Sequence, residues 1–183
     1  MPLARGFKAD AERTSEAIRA ELQLKAWAPL SPWDLAEHLD IPVLPLSELD
    51  GVAAARRLFA GSESGSFSAL TVFDGPRRLV VHNDAHSAGR QASNVAHELA
   101  HGLLLHEPRP ALNSFGCRDW NQDMEDEAVH LSGTLLIPRA AAYVIARNGW
   151  SDVEAAQRYG CSDAMVKWRV GISGAARLRP RRR

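Results

Sequence analysis

Two histidines four residues apart, in His97-Glu98-Leu99-Ala100-His101, constrain this chain more than any other feature. On an α-helix that spacing stacks both imidazoles on one face, one turn apart, so that they point at a common metal ion. Val95, Leu99 and Leu103 recur at helical spacing on a different face, so the segment from Ser87 to about His106 reads as a helix anchored along one side and open along the other. Ser87 is its expected N-cap, and Glu107-Pro108-Arg109-Pro110 its stop, because proline does not continue a helix. Glu98 is rotated off the histidine face. From there it reaches a water on the ion without being a ligand, which is what a general base requires.

The rest of the composition bounds the setting for that helix. A chain of 183 residues that is 45% hydrophobic suits one domain with a substantial core. Lys plus Arg and Asp plus Glu number 22 each, which gives no global basic field to attract nucleic acid. Five of the 22 basic residues fall in the last seven positions, Arg177 to Arg183, and read as a solvated tail. No run of about 18 apolar residues is present, and Met1-Pro-Leu-Ala-Arg5 lacks a secretory apolar stretch, so a cytoplasmic protein with no membrane partner is expected. Cys117 and Cys161 lie far apart and outside any C-x-x-C spacing, which argues against a disulfide framework and against a cysteine-held metal.

Local signals place the other elements. Lys8 to about Leu24 reads as an amphipathic opening helix through Ala11, Ile18 and Leu22. Ser31-Pro32 starts a short helix to about His38, with Leu35 and Leu39 inward. Ile41 to Leu46, broken by two prolines, suits a short edge strand, with a weak helix from Ser47 and a flexible loop over Gly61 to Ser66. Phe67 to Phe73 and Arg78 to His82 flank Asp74-Gly75-Pro76-Arg77 and read as a hairpin. After a loop over Ala111 to Trp120, Asn121 to Glu127 crowds acid into the start of a helix whose apolar face is Ala128, Leu131, Leu135 and Leu136. Pro138 breaks it. Arg139 to Arg147, Asp152 to Tyr159 and Asp163 to Val170 read as three further helices, the last two capped by Ser151 and Ser162. The expected fold is α+β, mainly helical, with a small antiparallel sheet and a C-terminal helical segment. Its division is 1–150 for the main domain, 151–176 for a helical pair packed on it, and 177–183 for the tail.

Two histidines hold an ion weakly, and a catalytic site adds a third protein ligand while leaving one position open. Glu is a common third ligand, and Glu127, at the start of the acidic helix, is placed for that role. At this point the chain resembles the ImmA/IrrE family of metallo-endopeptidases. The resemblance rests on Arg90-Gln91, on HELAHGLLLH from His97 to His106, on Glu125-Asp126-Glu127-Ala128, and on Gly133 to Pro138 with its Leu-Leu-Ile-Pro ending. It also covers Leu35 to Val43 and Ala156 to Ser162. The resemblance implies a zincin-like domain, Zn2+ bound by His97, His101 and Glu127, and Glu98 as the group that activates water. It also implies a protein substrate such as a helix-turn-helix transcriptional repressor.

The chain departs from the family pattern after Glu-Ala, where it reads Val129-His130-Leu131-Ser132. His130, one turn from Glu127, therefore stands as an alternative ligand, a supporting group or a transition-state donor. Glu125 is a further alternative ligand, and Tyr143 a second candidate donor to the oxyanion. The hairpin offers an edge along which a peptide could add as a strand. His82 and His86 read as loop groups beside the cleft, and His38 and His106 as helix-end histidines. Trp27, Trp33, Trp120, Trp150 and Trp168 read as packing anchors. Ser151 to Val170 has the outline of a helix-turn-helix, but Lys167 and Arg169 alone make no basic face. The competing reading is a non-proteolytic zinc-containing regulatory module that binds a repressor or DNA.

Overall fold

A computed structural model describes residues 3–49, 51, 67–75, 77–106 and 121–180. The Gly61–Ser66 loop, the Pro108 stop, the 111–120 loop with Cys117 and Trp120, and the last three arginines lie outside the described residues. Seven α-helices and a small sheet are present among those described. The helices are α1 (Phe7–Glu21), α2 (Pro32–His38), α3 (Ala88–Leu103), α4 (Gln122–Leu136), α5 (Arg139–Arg147), α6 (Asp152–Tyr159) and α7 (Asp163–Ile172). The strands are β1 (Val43–Pro45), β2 (Ala69–Asp74) and β3 (Arg77–His82), and short 3-10 turns follow at Leu46–Glu48 and Ala175–Leu178.

Capping chemistry fixes most of these ends. Ser31, Ser151 and Ser162 each accept a backbone N–H through the side chain, and Ser151 forms a full capping box with Glu154. Asn121 opens α4 by accepting from the N–H groups of Asp123 and Met124. Ser87 does precede α3, but it makes no side-chain cap; only its carbonyl accepts, from Arg90 and Gln91. Gly160 ends α6 in the left-handed conformation, at φ +64°.

The hairpin forms as the turn residues predict, with Gly75 at φ +58° and Thr71 opposite Val80. The sheet is mixed rather than purely antiparallel. Its order is β1-β3-β2, and β1 runs parallel to β3, with Val43 opposite Val80. The sequence fixes each strand, whereas the direction of a pairing separated by a long connection is set by the packing of the whole.

The core falls into two linked clusters. One joins Ala11 and Ile18 of α1, Leu35 of α2, Val95 and Leu99 of α3, and Ala128, Leu131 and Leu135 of α4. The other joins Ile145 of α5, Tyr159 of α6 and Val166 and Val170 of α7 to Ala96 and Leu136. The expected stripe on α3 is thus real. Val95 and Leu99 are fully buried and Leu103 is half-buried.

Two arginines that lie inside the molecule hold the carboxyl end of α4. Arg19 donates to the Leu135 carbonyl at 2.7 Å and to Ser15 Oγ at 2.6 Å, while Ser15 Oγ donates to the Thr134 carbonyl at 3.0 Å. Arg169 donates from Nε to the Ile137 carbonyl at 2.8 Å and pairs with Glu12 at 2.7 Å. The last carbonyls of a helix have no partner within it, and Pro138 supplies no N–H beyond them, so these guanidinium groups meet a real demand. Burial pulls the Arg19 guanidinium down to about 10, which leaves it charged at neutral pH. Arg169 is therefore a packing group and not part of a DNA-reading face. Gly133 belongs to the same clamp: a Cβ there would stand 2.3 Å from Trp168, so α4 and α7 meet over bare backbone.

Among the described residues no single helix is long and apolar enough to cross a membrane.

Candidate metal centre

α3 and α4 pack side by side, and their polar faces meet at the amino end of α4. There the structure brings together three donor atoms from three residues. His97 Nε2 lies 3.2 Å from Glu125 Oε2, His101 Nε2 lies 3.7 Å from the same oxygen, and the two Nε2 atoms are 3.1 Å apart. The three side chains are between 22% and 25% exposed, open enough for a ligand to arrive and closed enough to hold it.

The triangle fits a divalent ion. Donors about 2.0–2.2 Å from one ion at tetrahedral angles stand roughly 3.3–3.6 Å apart. Distances of 3.1, 3.2 and 3.7 Å bracket that spacing. Two imidazoles and a carboxylate are also a donor set that leaves a fourth position free. Hydrogen bonds from His101 and His97 hold the Glu125 carboxyl far below the usual carboxylate range, so it is ionised and ready to bind a cation.

The carboxylate in this triangle is that of Glu125, not of Glu127, the residue the sequence pointed to. Glu127 Oε2 lies instead 3.3 Å from His106 Nε2. Glu125 thus faces His97 and His101, while Glu127 faces His106, whose ring in turn meets that of His101. The rotation of α4 that decides between them is set by Ala128, Leu131 and Leu135, which turn inward.

Glu98, next to His97 on α3, is not one of the three. Its Oε2 accepts a hydrogen bond from Thr71 Oγ1 at 2.7 Å, which ties the base candidate to β2. Thr71 was not singled out from the sequence; nothing local marks a strand threonine as the partner of a residue 27 positions on. His106 was read only as a helix-end histidine, yet its Nδ1 lies 2.8 Å from His101 Nδ1.

The two candidate oxyanion donors sit elsewhere. His130 packs edge-on between Phe7 and Trp168, with ring centroids 6.0 and 5.9 Å away, in the wall of a separate cleft that includes Lys8, Glu12 and Arg139. Burial, with Arg169 and Lys8 nearby, pushes its ring down to about 4, so it is neutral at pH 7. Tyr143, on α5, lies under the Arg139 guanidinium and accepts from it at 3.4 Å. His86 is held by Asn94 and Asn83, His82 is buried against Trp33, and His38 pairs with Glu21. Trp27 and Trp33 are more exposed than packing anchors usually are, at 45% and 39%.

A helix presents two histidines and a neighbouring helix brings a carboxylate to them, an arrangement that fits a metal-dependent peptidase. The chain belongs to the Peptidase M78 family, and that family's model, described as the IrrE N-terminal-like domain, matches residues 36–170. Among curated proteins, none matches the chain.

Proposed function

We propose that the chain is a zinc-dependent endopeptidase that works in the cytoplasm on a regulatory protein, with a helix-turn-helix repressor as the substrate class suggested by the ImmA/IrrE resemblance. The observation that carries the zinc chemistry is the His97–His101–Glu125 triangle with Glu98 beside it. These three residues would hold Zn2+, whose ligands in proteins are imidazole, thiolate and carboxylate. When bound, such an ion supplies the positive charge that acidifies a neighbouring water and polarises a peptide carbonyl.

The remaining work falls to the chain's own groups. Thr71 occupies Glu98 Oε2, which leaves Oε1 to accept the proton of the attacking water and later to return it to the leaving amine. β2 pairs only with β3 among the described residues, and Val72 and Phe73 on it are exposed, which supports an extended peptide laid along that strand. Such a peptide would pass Thr71, and hence Glu98.

The test is Glu98→Gln. The variant is expected to bind one equivalent of zinc, as wild type does, and to lose roughly 10²- to 10⁴-fold in the cleavage rate of a susceptible helix-turn-helix repressor, read by mass spectrometry of the products. A variant that cleaves at the wild-type rate removes Glu98 as base. A wild type that binds repressor and zinc but cuts nothing favours the non-proteolytic regulatory module.

A further inference from the structure

A second cleft opens on another side of α4. Glu125 meets His97 of α3, whereas His130 meets Phe7 of α1 and Trp168 of α7, and beside that ring lies a space of about 520 Å³, a size that suits a small molecule. The family domain does not build it alone. Lys8, Glu12 and Glu16 in its lining come from α1, which precedes residues 36–170, whereas His130, Arg139 and Arg169 come from within that span. His130 is 5% exposed, with Phe7 and Trp168 set edge-on against its ring. Neither of its nitrogens has a hydrogen-bond partner among the described residues, and neither is sealed from solvent. An imidazole buried to this degree ordinarily finds a partner in the protein, and the polar edge of this one opens on the cleft that it lines.

The charges around that edge do not cancel. Glu12 is fully engaged, since Oε1 accepts from Arg169 at 2.7 Å and Oε2 from the Arg139 backbone N–H at 2.9 Å. Arg13 pairs with Asp10. Lys8 makes no ion pair or hydrogen bond among the described residues, and the Arg139 guanidinium meets only the Tyr143 ring and its neutral hydroxyl. Against these two cations stands one lining carboxylate, Glu16, so the mouth of the cleft is positive. The floor feels the same sign. Burial first, and then Arg169 and Lys8, hold the His130 ring neutral at pH 7, with Glu12 offsetting them only in part, and a neutral imidazole keeps one N–H to donate. We propose that this cleft binds a small organic anion headed by a carboxylate or a phosphate, with the His130 N–H at its floor and Lys8 and Arg139 at its rim holding the head group. Ile172, 46% exposed, gives the body of such a ligand an apolar surface to lie on.

The experiment titrates the zinc-loaded full chain with phenyl phosphate, with benzoate and, as an uncharged control, with benzyl alcohol, and follows the backbone amide signals. Saturable shifts clustered at Lys8, Glu12, His130 and Arg139 are expected with at least one of the anions and not with benzyl alcohol, and the tighter of the two anions identifies the preferred head group. His130→Phe keeps a ring and removes both nitrogens, and its dissociation constant should rise about 10- to 100-fold, as for a lost hydrogen bond to a charged group. Lys8→Gln, on the exposed rim, should raise it about 2- to 5-fold. Absence of saturable shifts with both anions overturns the proposal, and so does benzyl alcohol binding as tightly as they do. Shifts confined to the signals around His97 and His101 place the anion on the metal and overturn it as well, as does an unchanged constant in His130→Phe. Should His130→Phe not fold, Lys8→Glu, which reverses the rim charge, decides: binding as tight as wild type overturns the proposal.

Discussion

The two ends of α4 are built on opposite plans. At the amino end Glu125 and Glu127 reach out to histidines on α3 and just past its end, through side chains about a quarter exposed to solvent. At the carboxyl end Arg19 and Arg169, each 1% exposed, reach in and take the last carbonyls of the helix. One end makes contacts that a metal can reorganise; the other makes contacts that nothing is meant to exchange. A carboxylate needs placing to within a few tenths of an ångström to serve as a ligand, and a helix clamped at its far end delivers that placement without burying the ligand itself.

That contrast breaks first under Arg169→Leu. The change leaves the Ile137 carbonyl without its donor and Glu12 without its cation, and is expected to cost about 3 kcal/mol in urea unfolding. The folded fraction should bind zinc with an affinity close to that of wild type. If stability and affinity fall together, the clamp reaches the metal centre and the two ends do not act separately.

A smaller effect comes from His130, which lies between the ends. In the unfolded chain its imidazole takes up a proton below its ordinary value of 6.5, whereas in the folded protein burial beside Arg169 and Lys8, only partly offset by Glu12, delays protonation to about 4. Stability is thus lost as pH falls from 6.5 to 4. His130→Phe is expected to flatten that part of the pH profile, measured as urea midpoints of variant and wild type at pH 7 and pH 5. An unchanged slope would mean that the ring is not the group responsible.

The smallest change in stability is expected at the amino end itself. Glu125→Gln in metal-free protein should shift unfolding by no more than about 1 kcal/mol at pH 7, the range of partly exposed ion pairs. A loss as large as that of Arg169→Leu would erase the distinction between the two ends.

The same contrast separates what the sequence reveals from what it does not. Ser31, Ser151, Ser162, Asp74-Gly75 and Pro138 act on the backbone within a few residues of themselves, and the elements they mark are where the pattern puts them. His97 and His101 share a face by helical geometry alone. The choice between Glu125 and Glu127 is different, because it turns on the rotation of α4 against α3, which only the packed core determines. The approach of His106 to His101 depends on a left-handed Leu105 where a glycine would have announced the turn. Arg19 and Arg169 carry charges that residue type alone would assign to the surface. The parallel partner of β1 is likewise a long-range outcome.

Gly89, on the first turn of α3, draws these strands together. A single methyl group there would lie 2.5 Å from the backbone oxygen of Cys161, in the short link between α6 and α7. The helix that bears the histidines is therefore seated on the C-terminal segment as on a keel, with no side chain between them to give way. Any side chain at position 89 would have to push apart the link between α6 and α7 and the start of the helix that leads to His97.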